Sequence, residues 1–203
     1  MKLFKQRILF LTQSFLKPRQ TGAISPSSSF LAAAMAKEIY LTHQGYIMEL
    51  GGGTGSLTRG LLSHGIHAER LIIIEKNPLM VRELKKKFPT CLIQEADAQH
   101  LKTLMLKDSF KNSLIDSPIQ SIISGLPLRS LPRSVGESIL SAAFSLLPTK
   151  GRFIQFTYGL KSPAPEALLI KYNMQVLKKT LILWNFPPAT VWVYEKQESE
   201  KNS

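Results

Sequence analysis

Glu49-Leu50-Gly51-Gly52-Gly53-Thr54-Gly55 follows the apolar run Tyr46–Leu50 and precedes a helical stretch, Leu57–His64. A strand that breaks into glycines and restarts as a helix reads as the first turn of an open α/β sheet. Without Cβ atoms the backbone can bend sharply and approach a ligand at the carboxyl edge of the strand. The spacing is not Gly-x-Gly-x-x-Gly and no Lys-Ser/Thr pair closes it, so the dinucleotide and phosphate-loop readings lose support.

Outward from this turn, short apolar runs alternate with helical stretches. The runs are Leu71–Glu75, Cys91–Gln94, Ser121–Ser124, Phe153–Tyr158, Leu181–Trp184 and Val191–Tyr194. Helices are expected at Phe30 to about Tyr40, capped by Ser28 or Ser29, and at Pro78–Phe88 and Ser134–Leu147. This alternation predicts an α/β fold with a mostly parallel sheet covered on both faces. The last two runs, around Asn185-Phe186-Pro187-Pro188, close it as an antiparallel hairpin. At 203 residues and 44% hydrophobic content the chain suits one domain, expected over 18–195, with a disordered tail at 196–203.

Lys and Arg outnumber Asp and Glu by 26 to 14, and the formal net charge of +12 favours polyanionic surfaces such as nucleic acid or acidic lipid. A single cysteine, Cys91, excludes a disulfide framework and a thiolate metal site and fits a reducing, cytoplasmic setting. None of the four histidines has metal-ligand spacing beside carboxylates, so no metal is expected. No run is long enough to span a bilayer and the N-terminus lacks signal-peptide character. Residues 1–17 place Phe4, Ile8, Leu11 and Phe15 on one helical stripe among Lys2, Lys5 and Arg7. Such a helix either lies in a membrane interface or docks on its own core.

Two acids follow Glu49 at later strand ends. Glu75 comes twenty-six residues on, placed to accept both hydroxyls of a ribose, and Asp97 follows the third strand, placed to accept an adenine amino group. Three acids at successive strand ends around a glycine turn resemble class I S-adenosylmethionine (SAM)-dependent methyltransferases, whose Glu/Asp-x-Gly-x-Gly-x-Gly motif is matched at positions 49, 51, 53 and 55. The resemblance implies a Rossmann-like seven-stranded fold. It implies SAM as cofactor and S-adenosylhomocysteine as product, held by Ser25, Glu49, Gly51, Gly53, Thr54, Gly55, Glu75, Lys76, Asn77, Asp97, Ala98 and Ser124. It puts methyl transfer at Ser124-Gly125-Leu126-Pro127, where positioning of the nucleophile supplies much of the rate.

A related motif in ribosomal RNA adenine methyltransferases, Asn-Leu/Ile-Pro-Tyr/Phe, carries an aromatic that stacks on a flipped base. Here Leu128 replaces the aromatic and Ser124 the Asn, which weighs against a nucleic-acid acceptor. The fuller resemblance is to bacterial phospholipid N-methyltransferases, over roughly residues 4 to 195. It includes Lys17-Pro18, Thr21–Ser27, Glu49–Gly55, Ser124–Pro127, Phe153–Gly159 and Asn185–Trp192. One departure is Gly52, where Pro is frequent, expected to affect loop stiffness only. The resemblance implies phosphatidylethanolamine as acceptor and an anionic membrane surface as partner. It makes residues 1–17 a membrane-docking helix and the protein peripheral on the cytoplasmic face. Thr21–Ser29 is then a loop over the cofactor. Tyr158 orients the amine, and Arg19, Arg129, Arg133 or Lys161 meets the lipid phosphate. A nucleic-acid or small-molecule methyltransferase, and a non-catalytic membrane or partner binder, are the competing classes.

Overall fold

The computed structural model describes residues 26–40, 45–107, 118–185 and 187–198. The helix expected at residues 1–17, with Ser25 and Arg19, lies outside them. The elements in chain order are α1 (Pro26–Ala36), β1 (Tyr46–Leu50), α2 (Ser56–Ser63), β2 (Leu71–Glu75), α3 (Pro78–Lys87), β3 (Leu92–Glu95), α4 (Leu101–Met105), β4 (Ile119–Ser124), α5 (Arg133–Leu146), β5 (Arg152–Thr157), α6 (Glu166–Lys171), β6 (Met174–Ile182) and β7 (Ala189–Lys196).

Seven strands form one sheet in the order β3-β2-β1-β4-β5-β7-β6. β1 to β5 are parallel to their neighbours, and β7 runs antiparallel between β5 and β6, so the expected terminal hairpin is present. The chain order reverses between β1 and β4, which is where open α/β sheets leave a ligand crevice outside the strand ends. Successive side chains of a strand point to opposite faces, so each buried strand feeds two cores. On one face Ile47, Ile73, Ile123, Ile154 and Val191 pack under Leu31, Met35, Leu61 and Leu84 of α1 to α3. On the other, Met48, Ile72, Ile122, Phe153 and Trp192 pack under Leu104, Ile139, Leu140 and Phe144 of α4 and α5.

Three expectations are corrected. The first helix begins at Pro26, not Phe30, so Ser28 and Ser29 lie inside it and do not cap it; proline's fixed φ and missing N–H suit a first helical position. The expected loop Thr21–Ser29 is therefore helical from residue 26. β6 begins at Met174 rather than Leu181, because an edge strand wet on both faces lacks apolar alternation. The sheet also continues one residue past the expected domain boundary, through Lys196, and the Asn173 amide donates to the carbonyls of Gln197 and Glu198, so the start of the expected tail is held against the fold.

The strand ends opposite the crevice are closed by Arg152. Its guanidinium donates to Glu195 at 3.0 Å, to the Glu38 carbonyl at 2.8 Å and to the Tyr40 hydroxyl, and stacks 3.6 Å from the Tyr40 ring centroid. Five fixed donors let one Arg join β5, β7 and the segment after α1. Among the described residues no helix is long and apolar enough to cross a membrane.

Candidate active site

Gly51, Gly53 and Gly55 all take left-handed φ angles, 78°, 50° and 80°. That conformation strains any side chain with a Cβ, which explains the alternate glycines of the motif. The turn is pinned to its neighbours by backbone bonds: Gly51 N donates to Ile74 O and Gly125 N to Leu50 O, both at 2.8 Å. A Cβ on Gly51 would meet Leu126 Cδ2 at 2.6 Å, so the cofactor turn and the expected methyl-transfer loop touch. Gly53 differs, for the nearest atom to its missing Cβ is a backbone oxygen 3.9 Å away. Its open side leaves room for a ligand.

Gly52 corrects the reading of the sequence. A Cβ there would lie 2.6 Å from Ile73 Cγ2 and 2.8 Å from Leu84 Cδ1, both fully buried, so packing rather than loop stiffness demands glycine. Gly52→Ala is expected to destabilise the fold by about 1–3 kcal/mol through overpacking, read as a lower denaturation midpoint at unchanged slope.

The acids divide into three roles. Glu49 is fully buried; Thr58 Oγ1 donates to its Oε2 at 2.7 Å and the Thr58 N–H assists, while Oε1 is buried without a partner. Burial pushes its pKa up to about 8 against those hydrogen bonds, and the charge of Glu75 adds to the rise. Glu75 accepts Gly53 N at 2.9 Å on Oε2 and Asn77 N at 2.8 Å on Oε1, which ties the glycine turn to the end of β2. Each oxygen keeps a further lone pair for a diol. Asp97 accepts Gln99 N at 2.9 Å and an ion pair from Lys76 at 2.9 Å. Its slight burial works to raise the pKa, but the Gln99 N–H and Lys76 bring it below the usual aspartate value. Asn77 caps α3 through Leu79 N, and Ala98 is buried in the core behind Asp97.

The expected methyl-transfer loop is held tightly. Ser124 is buried and its Oγ accepts Leu126 N at 3.3 Å; Leu126 O accepts Leu128 N at 2.9 Å and Gln155 Nε2 at 3.0 Å. Both lone pairs of the Leu126 carbonyl are thus used within the protein. Leu128 is buried in the core with Ile139 and Leu140, so no stacking platform stands at that position. Gln155 carried no expected role, although a lone polar residue inside the apolar run Phe153–Phe156 was a signal. It is fully buried and directly opposite Ser124 across β4 and β5, and its Nε2 also donates to Phe156 O at 2.8 Å. Its Oε1 is buried without a partner.

Tyr158 stands just beyond β5 with its ring edge-on to Phe156 and its hydroxyl buried near Asn185 but outside hydrogen-bonding geometry. Burial pushes that phenol up to about 12. Of the cations expected to meet a phosphate, Arg133 is paired with Glu137 at 2.6 Å and Arg129 donates to the carbonyls of Lys161 and Ser162. Lys161 is exposed.

An orphaned, buried carboxyl oxygen beside a turn with open space at Gly53 fits SAM, whose amino-acid ammonium is a donor of the kind that oxygen lacks. No family model matches the chain. It is 25% identical over 157 residues to an ornithine lipid N-methyltransferase from Singulisphaera acidiphila, covering 75% of this chain and 78% of that protein. Among solved structures it superposes on a Burkholderia thailandensis 1,6-didemethyltoxoflavin-N1-methyltransferase with bound S-adenosylhomocysteine (TM-score 0.65, 13% identity, 93% of this chain, 86% of that one). It also superposes on TrmN from Thermus thermophilus (TM-score 0.63, 17% identity, 90% of this chain), of whose length it spans about half, 52%. The fold is thus that of class I SAM-dependent methyltransferases, the glycine turn and the orphaned Glu49 oxygen fit SAM, and the sequence is similar to that of a lipid N-methyltransferase.

Proposed function

We propose that this enzyme methylates the amine of a membrane lipid, phosphatidylethanolamine and its methylated intermediates first among them, towards phosphatidylcholine. The observation that carries the reading is the likeness to a lipid N-methyltransferase over three quarters of the chain. The buried Leu128, standing where a base-stacking aromatic would be needed, supports a lipid acceptor over a nucleic acid.

SAM, when bound, supplies an electrophilic methyl group on a sulfonium. The chain's own residues do the rest. Glu49 holds a cationic amine in a buried place, Glu75 takes the ribose hydroxyls on its remaining lone pairs, and the crossed bonds of Ser124, Leu126 and Gln155 keep the acceptor side rigid. An ethanolamine nitrogen must lose its proton before it attacks, and desolvation beside a positive charge favours the neutral amine. Tyr158, with its pKa near 12, keeps its own proton at neutral pH and acts by hydrogen bonding, not as a base. Tyr158→Phe is therefore expected to lower turnover by roughly two- to tenfold, the worth of one neutral hydrogen bond. Unchanged turnover on every acceptor would remove the hydroxyl from the mechanism.

The deciding experiment incubates the protein with labelled SAM and separate pools of lipid, RNA and small amines. Label is expected in the lipid pool. Label in RNA but not in lipid would overturn the acceptor while leaving the fold intact.

A further inference from the structure

β6 runs parallel to β5, with β7 antiparallel between them, so β6 ends at the same edge of the sheet as the glycine turn. Thr157, Thr190 and Leu181 lie in register across the three strands, which puts Leu181 roughly 10 Å from the end of β5 at the usual strand spacing. Just past that row the chain turns through Leu183 and Trp184, which are 68% and 83% exposed, and Leu181 is also exposed.

Leu160, 64% exposed in the segment after Tyr158, joins them: Lys179 Nζ donates to its carbonyl at 2.9 Å, and Lys179 and Leu181 share one face of β6. Four large apolar side chains, one a tryptophan, thus lie exposed among the described residues at the sheet edge that carries the glycine turn. Lys161 and Lys179 lie beside them, Lys178 on the other face of β6 being paired with Glu38 at 2.7 Å, and neither residues 158–165 nor 174–189 contain an acid. A tryptophan among leucines, flanked by Lys161 and Lys179 in segments that carry no acid, has the chemistry of the bilayer interface with anionic headgroups.

We propose that the β6–β7 hairpin tip, Leu181, Leu183 and Trp184 with Leu160, inserts into the interface of an anionic phospholipid bilayer and seats the mouth of the active site on the headgroup plane. This rests on the lipid-acceptor reading and deepens it. It assigns membrane contact to the catalytic domain itself, independently of residues 1–17.

The chain has two tryptophans, Trp184 and the buried Trp192, and none in residues 1–25, so fluorescence isolates the hairpin. The full-length protein is mixed with vesicles of phosphatidylethanolamine and phosphatidylglycerol carrying brominated acyl chains. The emission is expected to shift to the blue and be quenched, and Trp184→Phe to lose that response. The surface variant Leu181→Ser/Leu183→Ser/Trp184→Ser is expected to partition onto the vesicles at least tenfold more weakly. Equal quenching in the wild type and Trp184→Phe, or unchanged partition of the triple variant, overturns the proposal. So does a wild-type dimer in solution that the triple variant dissolves without any change in vesicle binding, which would make β6 an edge for a second copy of this chain. These readouts use no methyl transfer, so a failed lipid assay would sink the acceptor reading and leave the docking result to stand or fall by itself.

Discussion

SAM is expected to bind more tightly as the pH rises from about 6 to about 8, by up to roughly tenfold per unit, and Glu49→Gln is expected to abolish that slope. The cause is the burial of Glu49, which raises its pKa to about 8 with one oxygen orphaned. Near neutrality the ligand-free carboxyl keeps its proton, whereas a bound ammonium requires the carboxylate, so binding must expel a proton. The affinity is therefore fully present above about 8 and is lost as the pH falls below it. The α-amino group of the ligand loses its own proton near 8, which turns the profile down again on the alkaline side.

Linkage gives a second sign to check in the ligand-free protein. Glu49 has a raised folded pKa, so between about 4.5 and about 8 the unfolded chain has released a proton that the native state still holds. Stability therefore falls as pH rises through this window, and Glu49→Gln is expected to remove that contribution. The variant is also expected to weaken binding roughly 10- to 100-fold at pH about 8, the worth of a hydrogen bond to a charged group. Calorimetry in buffers of different ionisation enthalpy counts the expelled proton. Wild-type affinity that does not vary with pH would place the ammonium elsewhere.

For Gln155→Leu the expectation is a fall in kcat of about a hundredfold with SAM affinity unchanged. The amide orientation of Gln155 is determined by its surroundings, because a flip would set Oε1 against the carbonyls of Leu126 and Phe156. Leucine keeps the volume but removes both donors, leaving buried carbonyls short of a partner at a cost of about 1–3 kcal/mol. The Leu126 carbonyl then keeps only Leu128 N, and the loop, still held to β4 through Ser124 and to β1 through Gly125, loses its side-chain tie to β5. A displacement of about 1 Å near reacting groups is worth about 10²-fold in rate. Single-turnover rates and a cofactor titration separate the two effects. An unchanged single-turnover rate would make Gln155 a packing residue and nothing more.

Much of this site was legible in the sequence because its signals are local. Glycines at 51, 53 and 55 announce left-handed turns, and the acids at 49, 75 and 97 lie at or just past the ends of strands whose apolar runs are visible by eye. Gln155 was visible as a polar residue in an apolar strand but had no assignable partner, since Leu126 lies 29 residues away and meets it only through the pairing of β4 with β5. β6 escaped for the opposite reason. Its central residues are exposed on both faces, so nothing in Gln175–Lys179 had to alternate. The cations split in the same way: Arg133, free in the sequence reading, spends its charge on Glu137 one helical turn away.

The order of residues alone settled the α/β class and the glycine turn, while the methyl donor came from the resemblance those residues carry. The class and the turn depend on backbone conformations and strand periodicities that a few neighbouring residues dictate. Three things were decided only by the folded chain: why position 52 must be glycine, which acid is buried with its pKa raised, and which apolar residues stand exposed past the end of β6. Those depend on Ile73 and Leu84 closing over Gly52, on water being excluded from Glu49, and on β6 ending at the same edge of the sheet as β5, across β7. All three are consequences of segments far apart in the chain coming within a few ångströms, and no local pattern encodes a desolvation or a steric wall that another segment supplies.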